Sequence, residues 1–211
     1  MKTLRLKMQD ISLNVNPRPS KLYFYQIFYD DLNEYKSKFE KISITEFACG
    51  ASKILDFIKP NYYQGIDLKK DMITTSQSND SYRNYDFHVG DMTNFQSKIN
   101  TNFNFCVQAL GINLSFNQDN LMKTLKNLNN HTLKNGVMVF NISTELYTEN
   151  KETIDKYLTE NYEFVEYLYY GMFNERYNNT LTRILVRIEH FLRFTSYLKK
   201  YVYIKCLNKK F

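Results

Sequence analysis

The chain has 211 residues, 43% hydrophobic and 16% aromatic, which is enough apolar side chain to bury the core of one domain and too much for a disordered segment. Charged residues make up 24%, as in globular proteins, and three scattered cysteines suit neither a disulfide framework nor the paired spacing of a zinc site. The net charge of +6 is uneven: from Arg176 to Phe211 nine basic residues meet one acid, a local +8 against −2 elsewhere, unlike the spread charge of a nucleic-acid coat.

After an irregular start through Pro17 and Pro19, the positions Leu22, Tyr25, Phe28, Tyr29, Leu32, Tyr35 and Phe39 recur at three- and four-residue steps. That spacing predicts an amphipathic helix over Lys21 to Phe39, with Ser20 as its N-cap. The period then changes to a short β-prone run, Ile42 to Phe47, followed by small residues and a helical stretch from Lys53 to Lys59 that Pro60 ends. Strands are expected at Tyr62 to Ile66, Asp86 to Val89, Phe103 to Leu110 and Val137 to Ile142, with helices at Asp71 to Ser76 and Asp119 to Asn129 between them. Beyond Glu149 a helix (Lys151 to Glu160), a strand (Tyr162 to Tyr170), a basic helix (Thr180 to Leu198) and a last strand (Tyr201 to Leu207) complete the chain. Ile184 to Ile188 also suits a strand. Strands alternating with helices of this length imply parallel pairing through right-handed crossovers. The class is therefore α/β with helices on both faces, and ligands belong outside the carboxyl ends of the strands.

Three strand ends carry acids. Glu46-Phe47-Ala48-Cys49-Gly50-Ala51-Ser52 places a carboxylate before a turn of small residues, where backbone can approach a ligand closely. Asp67 ends the next strand 21 positions after Glu46, near the spacing at which an acid holds ribose hydroxyls in dinucleotide-binding folds. Gly90-Asp91-Met92 follows the third strand, a carboxylate and an apolar side chain suited to an adenine amino group and ring. Each acid alone also reads as a turn or cap residue; it is their order that carries the inference. A nicotinamide fingerprint is a poorer fit, because one glycine remains and Glu46 would repel a pyrophosphate.

From Ile42 to Ile142 the sequence resembles the class I S-adenosylmethionine-dependent methyltransferases. The family's acid and Gly-x-Gly-x-Gly loop correspond to Glu46, Ala48, Gly50 and Ser52, of which only the middle position keeps glycine, and Leu133-Lys134-Asn135-Gly136 looks like the family's turn before the fifth strand. The resemblance implies a Rossmann-like, doubly wound, seven-stranded sheet, mostly parallel with an antiparallel last strand, and S-adenosylmethionine as cofactor. It implies that Glu46, Ala48, Cys49, Gly50 and Ser52 wrap the methionine part, that Asp67 holds the ribose with Leu68 beside it, and that Asp91 and Met92 frame the adenine. Gln108, Ala109 and Leu110 would line the site near the sulfonium.

The helix with Tyr29-Asp30 and Tyr35 looks like the lid helix of small-molecule and nucleotide-sugar methyltransferases, so residues 1–40 are expected as a lid segment and 41–211 as the cofactor-binding domain. The basic end, near 176–200, resembles that of methyltransferases in surface-polysaccharide pathways. The acceptor expected is a small molecule, a hydroxyl of a nucleotide-linked or phosphorylated sugar or polysaccharide precursor, with Tyr29, Arg183 and Arg187 at its site and His190 or Glu175 as base. Three other readings stay open: an RNA methyltransferase, an inactive binding subunit, and a basic helix that rests on anionic lipid or simply faces solvent. No His/Cys/carboxylate cluster calls for a metal. With no apolar run long enough for a membrane span and no signal-like start, a cytoplasmic location is expected.

Overall fold

The structure is a computed structural model that describes residues 19–35, 38–97, 103–108, 112, 116–171 and 200–210. Helix α1 (Pro19–Tyr35) precedes β1 (Ser43–Phe47), a single 3-10 turn (Lys53–Asp56), β2 (Tyr62–Asp67) and α2 (Lys70–Gln77). Then come β3 (Asp86–Val89), β4 (Phe103–Gln108), α3 (Gln118–Asn130), β5 (Thr132–Ser143), α4 (Thr144–Glu149), α5 (Lys151–Asn161), β6 (Tyr162–Tyr170) and β7 (Tyr201–Lys209). The seven strands form one sheet in the order β3-β2-β1-β4-β5-β7-β6. Pairing is parallel from β3 to β5, whereas β7 runs antiparallel to both β5 and β6. The expected seven-stranded α/β sheet with its antiparallel last strand is thus observed.

Alternation along the strands sends successive side chains to opposite faces. On one face Ile44, Phe105, Val107, Val139 and Tyr203 pack beneath α1, whose Phe24 and Phe28 are completely buried. Phe28 meets Phe105 edge-on at 6.0 Å between ring centres, and Phe24 lies 5.3 Å from Tyr203. On the other face Phe47, Cys106, Met138, Phe140 and Ile204 meet Leu121, Leu125 and Leu128 of α3 and Ile154 and Leu158 of α5. The buried leucines of α3 recur at helical spacing and contribute roughly 1.5–3 kcal/mol each. Asn117 starts that helix by accepting a 2.8 Å hydrogen bond from the Asn120 amide.

Four local details depart from the sequence expectations. The helical stretch after the small-residue loop shrinks to four residues in 3-10 form, Lys53–Asp56, because Ser52 enters it with left-handed backbone (φ 53°) and Pro60 follows closely. Strand β5 begins at Thr132, not Val137; the 133–136 stretch, expected as a turn, forms an irregularity where the register with β4 shifts between Phe103 and Phe105. Helix α4 was not expected, and Ser143 caps it by accepting from the Leu146 amide at 3.3 Å. The first helix ends at Tyr35, short of Phe39. The basic helix expected over Thr180 to Leu198 lies outside the described residues.

Candidate functional site

The carboxyl ends of β1, β2 and β3 are stitched together through Asp67. The Cys49 amide donates to the Ile66 carbonyl at 3.0 Å, the Gly50 amide to Asp67 Oδ2 at 2.8 Å, and the Gly90 amide to the Asp67 carbonyl at 3.0 Å. Asp67 Oδ1 accepts from the Lys69 amide at 2.8 Å. Each carboxylate oxygen thus receives one backbone hydrogen bond, and an ionised carboxylate offers about two acceptor positions per oxygen, so a pair of adjacent hydroxyls can still be held. The side chain is half-buried, while Leu68 beside it is 70% exposed.

The loop after β1 alternates through left-handed backbone at three positions: Ala48 (φ 53°), Gly50 (φ 56°) and Ser52 (φ 53°). Only glycine adopts this region freely, and a side chain there costs roughly 1–2 kcal/mol. The two positions where the sequence departs from glycine keep a glycine-like path, and the strain sits where a ligand-binding turn is expected. Gly65 of β2 lies behind the loop: a Cβ there would stand 3.0 Å from Cys49 Sγ and 3.1 Å from the Phe87 ring. Ser52 is buried and accepts a hydrogen bond from Ser76 of α2 at 3.2 Å.

Glu46, like Cys49 and Ser52 of the same stretch, is buried. It has no exposed surface, and its Oε2 accepts a 2.5 Å hydrogen bond from the Tyr63 hydroxyl. Burial, and after it the charge of Glu46, hold the phenols of Tyr63 and of Tyr25 on α1 well above their ordinary pKa. Glu46 therefore braces the loop from below, whereas Ala48, Gly50, Asp67, Leu68, Asp91 and Met92 keep exposed or half-buried surface. Cys49 is buried; desolvation first, and then Glu46, push its thiol up, so it packs as a neutral group. Tyr63 and Tyr25 were missed from the sequence, although Tyr63, Gly65 and Asp67 share one strand face by simple alternation.

Asp91 makes a tight turn after β3. Its Oδ1 accepts from both the amide and the hydroxyl of Thr93 at 2.8 Å, while its side chain stays exposed. Met92 is half-buried, and its carbonyl accepts from Asn127 Nδ2 at 3.0 Å. Gln108 is fully buried at the end of β4, level with Phe47. His131 sits against Phe47 and Phe95, with ring centres 5.1 and 6.2 Å away, and burial lowers its pKa. Tyr29 is half-buried against the core on the α1 side. Ala109, Leu110, Glu175, Arg183, Arg187 and His190 lie outside the described residues.

No family model and no curated sequence matches the chain. Solved structures do. The plantazolicin methyltransferase BpumL, bound to S-adenosylhomocysteine and a desmethylplantazolicin analogue, is 16% identical with a TM-score of 0.58, over 97% of this chain and 90% of its own. The N-methyltransferase NodS of Bradyrhizobium japonicum is 13% identical with a TM-score of 0.56, over 89% of this chain and 97% of its own. A TehB-like S-adenosylmethionine-dependent methyltransferase of Corynebacterium glutamicum is 12% identical with a TM-score of 0.56, over 99% and 97%. At such identities the likeness concerns architecture. Strand order, the antiparallel β7 and these matches together give the chain the fold of the class I S-adenosylmethionine-dependent methyltransferases.

Proposed function

We propose that the chain is an S-adenosylmethionine-dependent methyltransferase that grips its cofactor across the ends of β1, β2 and β3 and acts on a small acceptor. The observation that carries this reading is the Asp67 hub. One carboxylate tied to the loop amide of Gly50 keeps acceptor capacity for vicinal hydroxyls, two strand spacings of about 4.8 Å separate the loop of β1 from the end of β3, and a nucleoside spans that distance. The residues fit such a group. Ala48 and Gly50 bring backbone to its amino-acid end, Leu68 and Met92 offer apolar surface to a purine, and Asp91 Oδ2 accepts no hydrogen bond among the described residues and suits an exocyclic amine.

When bound, the cofactor supplies a methyl on a sulfonium, already an electrophile. The work left to the chain is to hold, align and exclude water. Asp67 fixes the ribose end, Glu46 and Tyr63 hold the loop in shape from beneath, and buried Gln108 closes the floor at β4. For the acceptor we favour a hydroxyl of a sugar or polysaccharide precursor, from the aromatic amino-terminal helix with Tyr29 and the basic segment with Arg183 and Arg187; His190 or Glu175 would take the proton. We also propose cytoplasmic residence; among the described residues no helix is long and apolar enough to cross a membrane.

Calorimetry with S-adenosylhomocysteine on the full chain tests the binding step, and micromolar or tighter binding is expected. No binding at millimolar ligand would sink the reading. Turnover with nucleotide-sugar and RNA panels then divides the acceptors; RNA methylation whose affinity falls steeply with salt would replace the sugar reading.

A further inference from the structure

A second cluster of charges lies on the α1 face, away from the strand ends that hold Asp67. Lys205 of β7 is 5% exposed, and its Nζ stands 2.8 Å from Asp31 Oδ1 of α1 and 2.7 Å from Glu166 Oε2 of β6. Asp31 is itself 9% exposed, and its other oxygen accepts a hydrogen bond from the Tyr203 hydroxyl. The ring of Tyr35, one helical turn beyond Asp31, lies 5.6 Å from the same ammonium. Asp31 and Lys205 are 174 residues apart in sequence, so this contact joins the first described helix to the last strand.

Position gives the cluster its meaning. Glu46, Val107, Val139, Lys205 and Glu166 follow one another through the register, so they form one row across β1, β4, β5, β7 and β6. Glu46 and Lys205 are therefore two buried ionisable side chains on a single row of the face that packs against α1. Asp31 meets Lys205, while Tyr25, on the neighbouring side of α1, packs its ring 5.4 Å from Phe57, just past the 3-10 turn that follows the loop. That turn is only four residues long, and Tyr25 of α1 shares one buried cluster with its Ile54 and Leu55 and with Cys49 of the loop.

Apolar packing alone would set α1 poorly along its axis. Phe24, Phe28 and Leu32 meet a sheet surface of rings and branched chains, and such contacts are non-directional. A salt bridge is directional. Sliding α1 by one turn, about 5.4 Å, would take Asp31 away from Lys205 and leave its carboxylate in an apolar layer.

We infer that the Asp31–Lys205 pair is a clasp that sets the register of α1 on the sheet, making Asp31 and Lys205 positioning residues for the loop that follows β1. Glu166, whose side chain is 60% exposed, balances the charge of Lys205 from the outside. The ligand side of this inference rests on the methyltransferase reading; the structural side does not.

The test is hydrogen–deuterium exchange on the full chain, comparing peptides within 24–35 with peptides within 118–130, together with calorimetry using S-adenosylhomocysteine. Asp31→Asn keeps the shape and leaves Lys205 paired with Glu166, and it is expected to speed exchange in α1 at least tenfold with α3 unchanged. Lys205→Met is expected to do the same, and the Asp31→Asn/Lys205→Met double variant to add less than a further twofold. Glu166→Gln should stay within twofold of the parent in α1. S-adenosylhomocysteine affinity should fall at least fivefold in Asp31→Asn and stay within twofold in Glu166→Gln. Unchanged exchange in α1, or equal acceleration of α1 and α3, in Asp31→Asn overturns the clasp, whether or not Lys205→Met folds. Unchanged affinity with loosened α1 overturns the positioning role. If the parent chain binds no S-adenosylhomocysteine, the methyltransferase reading fails and the exchange result alone decides the clasp.

Discussion

The rim formed by β1 to β3 and the half built on β5 to β7 treat their polar groups in opposite ways. At the rim, Asp67 and Asp91 are partly open carboxylates with acceptor capacity to spare, the loop carries left-handed Ala48 and Ser52, and Leu68 and Val89 stand exposed. In the other half several polar groups are closed on one another. Tyr162 donates to Asn129 at 2.8 Å, Asn141 donates to Tyr170 at 2.9 Å, and Asp155 accepts from Tyr147, Tyr167 and Lys151. Satisfied groups rigidify a fold, whereas unsatisfied groups and backbone strain are kept where a ligand completes them.

The contrast can be broken or sharpened by substitution. Leu125→Ala, which hollows the α3 side, should cost about 2–5 kcal/mol in urea unfolding and leave S-adenosylhomocysteine affinity within twofold; a matching loss of affinity would mean the halves are coupled. Asp67→Asn should reverse that pattern. Charge-assisted hydrogen bonds are worth about 1.5–3 kcal/mol, so calorimetric affinity should drop by roughly 10- to 150-fold, with a smaller change in unfolding. Gly65→Val inserts atoms against Cys49 and Phe87 and should cost about 1–3 kcal/mol while also weakening ligand binding, because it pushes the loop from behind.

Ala48→Gly should stabilise the chain, by about 0.5–1 kcal/mol once the greater freedom of glycine in the unfolded state offsets part of the relieved strain. The smallest effect is a pH dependence. Burial holds His131 below its usual pKa, so the unfolded chain takes up the proton first. Stability should therefore be full above about pH 6.5 and decline as the pH falls through the folded value, and His131→Gln should flatten that decline.

Much of this was legible in the residues. Every described strand was expected within a few residues of where it lies, because apolar runs bounded by turn signals are local features; β5, which starts five residues early, strays furthest. Asp67, Leu68 and Asp91 were placed at strand ends for the same reason. What strand alternation does not reveal is which face of β1 lies beneath a helix. Glu46, expected to face the ligand, proved buried under α1 and bonded to Tyr63. The four-residue 3-10 turn escaped because Lys53 to Lys59 has helical apolar spacing, and only the backbone of Ser52 shows why it stops. The link from Asp31 to Lys205 depends on packing across 174 positions, beyond the reach of any local pattern.

The placement of β7 between β5 and β6 has a consequence for biosynthesis. During translation β5 and β6 emerge before the strand that joins them, so both expose unpaired hydrogen-bonding edges until residues 201–209 have left the ribosome. Asp31 of helix α1 likewise waits for Tyr203 and Lys205, which emerge 172 and 174 residues later. Closing of the sheet is thereby tied to synthesis of residues 201–209, and a nascent chain halted before Tyr201 exposes sticky β edges for chaperones or aggregation to capture.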